Sequence, residues 1–462
     1  MSGQPSFFDR LLGKWRDIAG SSTGEPSADL AGEGDIDRLH EQMQACLDAK
    51  GGEVSARVRA AGLGRSYLGL DDTGRERFLK ILAEEFDADP VAVERAIAAL
   101  GEASPHEVRG AQNVLRQTLE PPRRRLLTQF NGLPEGVKFL VDLRADLVSL
   151  REKNPAFRAL DDDLREMLGA WFDVGFLDLR RITWNASAAL LEKLIAYEAV
   201  HEIRSWDDLK NRLDSDRRCF AYFHPRMPDE PLIFVEVALV NGLAGNIAEL
   251  LDERAPVANP VEADTAIFYS ISNAQKGLAG ISFGGFLIKR VVDVLIGELK
   301  SLKTFATLSP VPSFRRWLLG RVEAGEELLS DDERTALAEA AGAADGQDPL
   351  AAILNDSTWL GDAERAALVE KPLMRLCAHY LLNETGRGGR ALDPVANFHL
   401  TNGALVERLC WRANTSEQGF ARSAGIMVNY LYDLDKIEGN HEAYSGDGKV
   451  IASNSVNRLL KG

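Results

Sequence analysis

Two short stretches carry residues of the kinds that exchange protons. In TFATLSPVPSFRRWLLG, residues 304–320, Ser309 sits between a strand-like run and two prolines that fix the direction of the chain. A hydroxyl on such a stiff turn is well placed to meet a ligand. It could equally cap the helix that carries Phe314, Trp317 and Leu318. No Gly-x-Ser-x-Gly elbow surrounds Ser309, so it is not indicated as a hydrolase nucleophile. In LDPVANFHLTNG, residues 392–403, a lone histidine, His399, falls in an apolar run read as a strand over 395–400. An imidazole with the ordinary pKa of ~6.5 can trade protons in a site. Packed in a core and hydrogen-bonded through one ring nitrogen, it would trade none. Just upstream, Arg387 and Arg390 stand among three glycines in NETGRGGRALDPV, where they could grip a carboxylate or phosphate in two-pronged fashion or simply decorate a surface loop.

A third stretch suggests where an anion would bind. AIFYSISNAQKGLAGISFGGFLIKRVVDVLIGEL, residues 266–299, reads as strand, glycine-rich loop and helix. Backbone N–H groups of Ala279, Gly280, Ile281, Ser282, Phe283, Gly284 and Gly285, with the positive end of the helix dipole, suit a phosphate or pyrophosphate. Lys289 and Arg290 on the helix could complete the pocket. The loop is neither a Walker A sequence nor G-x-G-x-x-G, which points away from nucleoside triphosphates and NAD. A tight connection that uses glycine for backbone freedom is the alternative.

The elements that must position these residues fall into two halves. Residues 1–30 hold SFFDRLLGKWRDI, apolar at helical spacing, and then GSSTGEPS, which together read as a mobile N-terminal segment or a small docking helix. From 31 to 187 the pattern is helical almost throughout, a bundle suited to scaffolding or oligomerisation. Arg123, Arg124 and Arg125 within it read as a solvated helix start, with anion binding the alternative. From 188 to 462 strands join the helices: 231–240, 266–272, 395–400 and 425–432 are the expected ones, in a mixed α/β domain with an acidic helical insertion at about 321–370. The fold class expected is therefore α+β.

Bulk properties bound the function. At 462 residues the chain is long enough for two or three folding units, and 45% hydrophobic with 27% charged residues is an ordinary globular balance. A formal net charge of −16 argues against nucleic acid or anionic lipid as partner. Cys46, Cys219, Cys377 and Cys410 are far apart and match no metal-ligand spacing, as buried thiols of a reducing compartment would be. With no membrane-length apolar run and no basic-then-apolar leader, the expected location is the cytoplasm.

Taken in order, HPRMPDEPLIFVEVALV, AIFYSIS with the glycine loop and FLIKRVV, LSPVPSF, PLMRLCAHYLL, DPVANFHLTNGA and GIMVNYLY resemble the malonyl-CoA decarboxylase family. The resemblance covers most of residues 190–462 and is weaker through the helical half. It implies an N-terminal helical oligomerisation domain, a homodimer or homotetramer, and a catalytic domain like the GNAT acetyltransferases, in which a strand-loop-helix cradles the CoA pyrophosphate. The family's paired serine and histidine fall on Ser309 and His399. The loop departs from the usual acetyltransferase pattern, and Ser282 stands where some relatives have glutamate. The terminal NRLLKG lacks the Ser-Lys-Leu peroxisomal address of some eukaryotic members.

The implied chemistry is conversion of malonyl-CoA to acetyl-CoA and CO2, with malonate or fatty-acid metabolism as its context. The thioester carbonyl takes up the electron pair released with CO2, so no metal, biotin or pyridoxal is called for. Ser309 would orient the carboxylate or the thioester oxygen, and His399 would protonate the α-carbon. An acyl-CoA-dependent N-acyltransferase or a non-catalytic acyl-CoA-binding protein are the competing readings.

Overall fold

The structure is a computed structural model that describes residues 7–19, 26–48, 52–281, 286–342 and 347–461. It divides into two compact units, one of Met1–Leu177, His224–Glu230 and Gln275–Ser282, the other of Asp178–Phe223, Pro231–Ala274 and Phe283–Gly462. Among the described residues no helix is long and apolar enough to cross a membrane.

The first unit is helical because its sequence repeats apolar residues every three or four positions. The helix Gly136–Leu150 shows the pattern, burying Val137, Phe139, Leu140, Val141, Leu143 and Leu147. Asn154 caps the next helix, Pro155–Trp171, through the amide of Ala156, with Pro155 in the first turn. The helix Phe7–Ala19 docks on this unit. Its Trp15 is fully buried, edge-on to Phe139 at 5.0 Å, and donates its indole N–H to the Pro134 carbonyl at 3.1 Å.

Arg123 corrects the sequence reading. It is buried, not solvated, and its guanidinium is spent on Asp163 at 2.7 Å, Asp87 at 3.1 Å and the Ala83 carbonyl at 3.0 Å. The Pro121-Pro122 helix start does set the backbone, but carboxylates distant in the sequence, which no local pattern shows, pull the side chain inward.

The second unit holds most of one sheet. Its strands are β1 (Asp178–Ile182), β2 (Arg217–His224), β3 (Met227–Val240), β4 (Thr265–Asn273), β5 (Thr304–Thr307), β6 (Ser309–Pro310), β7 (Leu405–Cys410) and β8 (Met427–Leu431). They run in the order β1-β2-β3-β4-β5-β8-β6, with β7 also on β8. The long runs expected at 231–240 and 266–272 are indeed β3 and β4, buried nearly end to end. Strand structure begins earlier than expected, at β1, whose polar DLRRI on the sheet edge carries no apolar run to betray it.

The register explains how the sheet makes room for a site. β4 and β5 are parallel, and their pairing ends at Phe268↔Thr307, where the Leu308 amide donates to the Phe268 carbonyl at 3.0 Å. Beyond that point β4 stays with β3, while β6 continues along β8 in the register that β5 began, Ala306↔Leu431 and then Ser309↔Val428. The two parallel strands part, and Ser309 is the first residue past the parting. A gap at the carboxyl ends of parallel strands is where open α/β sheets bind ligands.

The run 395–400 is not a strand. It lies in the helix Pro394–Thr401, capped by Asp393 with Pro394 in the first turn. Six apolar-rich residues cannot decide between strand and helix by periodicity, and the Asp-Pro start is the feature that decides. The turn after it requires its glycine: Gly403 has φ of +79°, and a Cβ there would lie 2.3 Å from the Ile437 carbonyl oxygen.

Candidate active site

Ser309 and His399, ninety positions apart, meet. Ser309 Oγ lies 3.0 Å from His399 Nε2, and the two residues are 6% and 2% exposed. Each is placed by a separate element. Alternation along β5 and β6 puts Thr307 and Ser309 on one face, and along β8 and the residue just past its end it does the same for Tyr430 and Tyr432. The helix Pro394–Thr401 brings the imidazole onto them. Its ring stacks on Tyr430, 4.5 Å between centroids and 24° between planes.

Hydrogen-bond accounting fixes the state of the ring. His399 Nδ1 lies 2.8 Å from the Tyr432 hydroxyl, which makes no other hydrogen bond among the described residues. Because the Ser309 O–H is directed at Thr307 Oγ1, its Oγ accepts from Nε2–H, and Nδ1, left without a proton, accepts from the Tyr432 hydroxyl. Ser309 in turn donates to Thr307 Oγ1 at 2.9 Å, and Thr307 Oγ1 also accepts the Tyr430 amide at 3.2 Å. Burial pushes the imidazole pKa down to about 3. The ring is therefore neutral at pH 7, which corrects the expectation of a group titrating near neutrality. Tyr432 is pushed well above the usual tyrosine range by burial and stays protonated, as the donor role requires.

The other predicted residues are dispersed. Ser282, Phe283, Gly284 and Gly285 lie outside the described residues. Ala279, Gly280 and Ile281 belong to the first unit, where the amides of Ala279 and Ile281 donate to the Lys276 and Leu278 carbonyls at 3.1 Å each. Arg144 donates to the carbonyls of Gly277 at 2.7 Å and Ala279 at 2.9 Å. Gly277 is needed for contact, since a Cβ there would fall 1.7 Å from the Val141 carbonyl oxygen.

Lys289 and Arg290 are exposed on the helix Phe286–Glu298 of the second unit, and Lys289 pairs with Glu438 at 2.9 Å. Arg390 lies over the Tyr444 ring, 5.4 Å from its centroid. The Arg387 side chain lies outside what is described. The helix after Ser309 starts at Phe314 with Ser313 at its cap position, so Ser309 is not its cap.

Residues 175–462 match the malonyl-CoA decarboxylase C-terminal domain, and residues 86–172 the malonyl-CoA decarboxylase N-terminal domain. The chain belongs to the malonyl-CoA decarboxylase family. A crystal structure of malonyl-CoA decarboxylase from Rhodopseudomonas palustris is 42% identical, with a TM-score of 0.84 over 91% of this chain and 99% of that one. The Agrobacterium vitis malonyl-CoA decarboxylase structure is 41% identical, with a TM-score of 0.82 over 92% and 99%. The mitochondrial malonyl-CoA decarboxylase of Anser anser anser is 39% identical over 419 residues, 87% of this chain and 83% of that protein.

In this member of the malonyl-CoA decarboxylase family, the sequence singled out the serine and the histidine that meet here, but not Tyr432 and Thr307, which hydrogen-bond to them, nor Asp393 at the helix cap. Tyr432 ends the run GIMVNYLY, and its spacing of two from Tyr430 was the one available sign that both face the same way. Thr307 shows as much by its spacing from Ser309. Among the described residues no three His, Cys, Asp or Glu side chains gather as metal ligands.

Proposed function

We propose that the chain decarboxylates malonyl-CoA to acetyl-CoA and CO2, using Ser309 and His399 as the groups that meet the malonyl thioester. The observation that carries this reading is the buried 3.0 Å contact between the two residues at the parting of β4 and β5, in a chain of this family.

Departure of CO2 leaves an electron pair on the α-carbon, which the thioester carbonyl draws in as an enolate. The substrate itself is the electron sink, so the reaction asks for no cofactor. The protein must hold the carboxylate out of the carbonyl plane, stabilise the oxyanion and return one proton to carbon. Ser309 can turn its O–H from Thr307 to the thioester oxygen. One such donor is worth roughly 2.7 to 4 kcal/mol.

His399 then protonates the α-carbon from Nε2. An enolate carbon is a stronger base than the ring that loses the proton, so a neutral imidazole suffices. As the proton leaves, Nδ1 grows more basic and the hydrogen bond from Tyr432 tightens. Water restores the ring proton after release, which balances the reaction as malonyl-CoA plus one proton giving acetyl-CoA and CO2. A strand, a glycine-rich loop and a helix in that order make the arrangement that suits the CoA phosphates. The four free, buried cysteines suit a reducing compartment.

Purified protein and malonyl-CoA alone, without any acyl acceptor, should release CO2 and acetyl-CoA. Ser309→Ala and His399→Ala should each lose about two to four decades in kcat while still binding CoA. An acceptor requirement, or full activity in His399→Ala, would sink this reading.

A further inference from the structure

The geometry assigns Asp393 as a positioning residue that clasps the Ser309 segment to the His399 helix, an inference that rests on the reading of those two residues as the reacting pair. Asp393 Oδ1 accepts the amides of Val395 at 2.9 Å and Ala396 at 3.0 Å, in the first turn of the helix that ends with His399 and Thr401. Its other oxygen, Oδ2, accepts the amide of Ser313 at 3.3 Å, four residues past Ser309. One planar carboxylate thus ties both segments at fixed separation.

Helix capping alone does not require this. The same chain uses Asp-Pro starts at Asp89 and Asp348, where an exposed aspartate accepts from its own first turn and reaches no distant amide. Asp393 is instead buried, and among the described residues no lysine or arginine pairs with it. Burying a carboxylate without a cation is costly, and a serine would cap the helix without that cost. What the carboxylate adds is a second acceptor, and its use is the link to Ser313. Misplacing a reacting group by 1 Å can cost on the order of a hundredfold in rate.

The test compares Asp393→Asn with the control Asp348→Asn. Asparagine keeps a cap but has one acceptor oxygen, so its amide group meets either the Ser313 N–H or the helix amides, and one half of the clasp opens. We expect Asp393→Asn to lower kcat about ten- to a hundredfold with KM for malonyl-CoA little changed, and Asp348→Asn to change neither. In a His399→Ala background the Asp393 change should cost nothing further in residual rate. Parental kcat in folded Asp393→Asn, a proportional rise in KM, or losses that multiply with those of His399→Ala would each overturn the assignment. Should Asp393→Asn not fold, Asp393→Ser, which still caps but is too short to reach Ser313, is measured in the same way. Failure of both to fold would mark a structural cap and overturn it too. Full activity of His399→Ala would instead remove the reacting pair, a result distinct from full activity of Asp393→Asn alone.

Discussion

His399 is neutral, and two features keep it so: burial from water and a tyrosine, not a carboxylate, on Nδ1. An acidic partner would have drawn the ring toward imidazolium. Tyr432→Phe removes the donor that fixes the tautomer, so the proton can move to Nδ1 and leave Nε2 with none to give. The lost buried hydrogen bond corresponds to about 1–3 kcal/mol, roughly five- to a hundredfold in kcat. Nitrogen chemical shifts of His399 should report Nε2–H in the parent and a mixture in the variant. An unchanged spectrum would refute the tautomer assignment.

Burial also sets the acid limit. The folded-state pKa of about 3 lies below the ordinary ~6.5 of the unfolded chain, so the unfolded state binds the extra proton between them. Stability should fall as pH is lowered through that window, with kcat on this group flat above it. Urea midpoints measured from pH 7 to 4 should show the slope, and His399→Gln should show less of it.

At the level of elements, legibility depended on length. β3 and β4 are long and buried on both faces, so their composition betrays them. The four-residue β5 and two-residue β6 are strands only because β4 and β8 flank them, and the helix Pro394–Thr401 read as a strand because its apolar run is too short to show a period. The interruption at Thr307 of the ladder that β5 and β6 make with β8 was invisible for a related reason. There the Tyr430 amide is taken by the Thr307 hydroxyl and the Thr307 carbonyl by the Asn429 side-chain amide at 2.7 Å, a substitution of side chain for backbone that no propensity encodes. Thr307→Val keeps the shape and strands the Tyr430 N–H, at a cost of about 1–3 kcal/mol in unfolding free energy. It also frees the Ser309 O–H from its resting acceptor, so kcat should fall. Thr307→Ser should restore both. Equal stability of the valine and parental proteins would disprove this account of the ladder.

Across the whole molecule, the division into a helical and a mixed half was legible, because the period of the apolar pattern changes along the chain. What composition could not show is how each half closes its own core. Trp15 illustrates this in the first unit. The sequence placed it on a helix, yet its burial depends on Gly64 of the helix Glu53–Leu68, where a Cβ would fall 2.0 Å from the indole ring. The glycine that weakens one helix makes the socket for another. Trp15→Ala should destabilise the first unit by about 3–5 kcal/mol, and Gly64→Ala by about 1–3 kcal/mol through overpacking. Because both changes act on one space, the double variant should be more stable than the sum of the two losses implies, the new methyl occupying part of what the indole vacates. Calorimetry of the four proteins measures that coupling. Ser309 and His399 lie in the other unit, so kcat per folded molecule, taken below the transition, should hold through the series, and strict additivity would show that Gly64 does not shape the socket of Trp15.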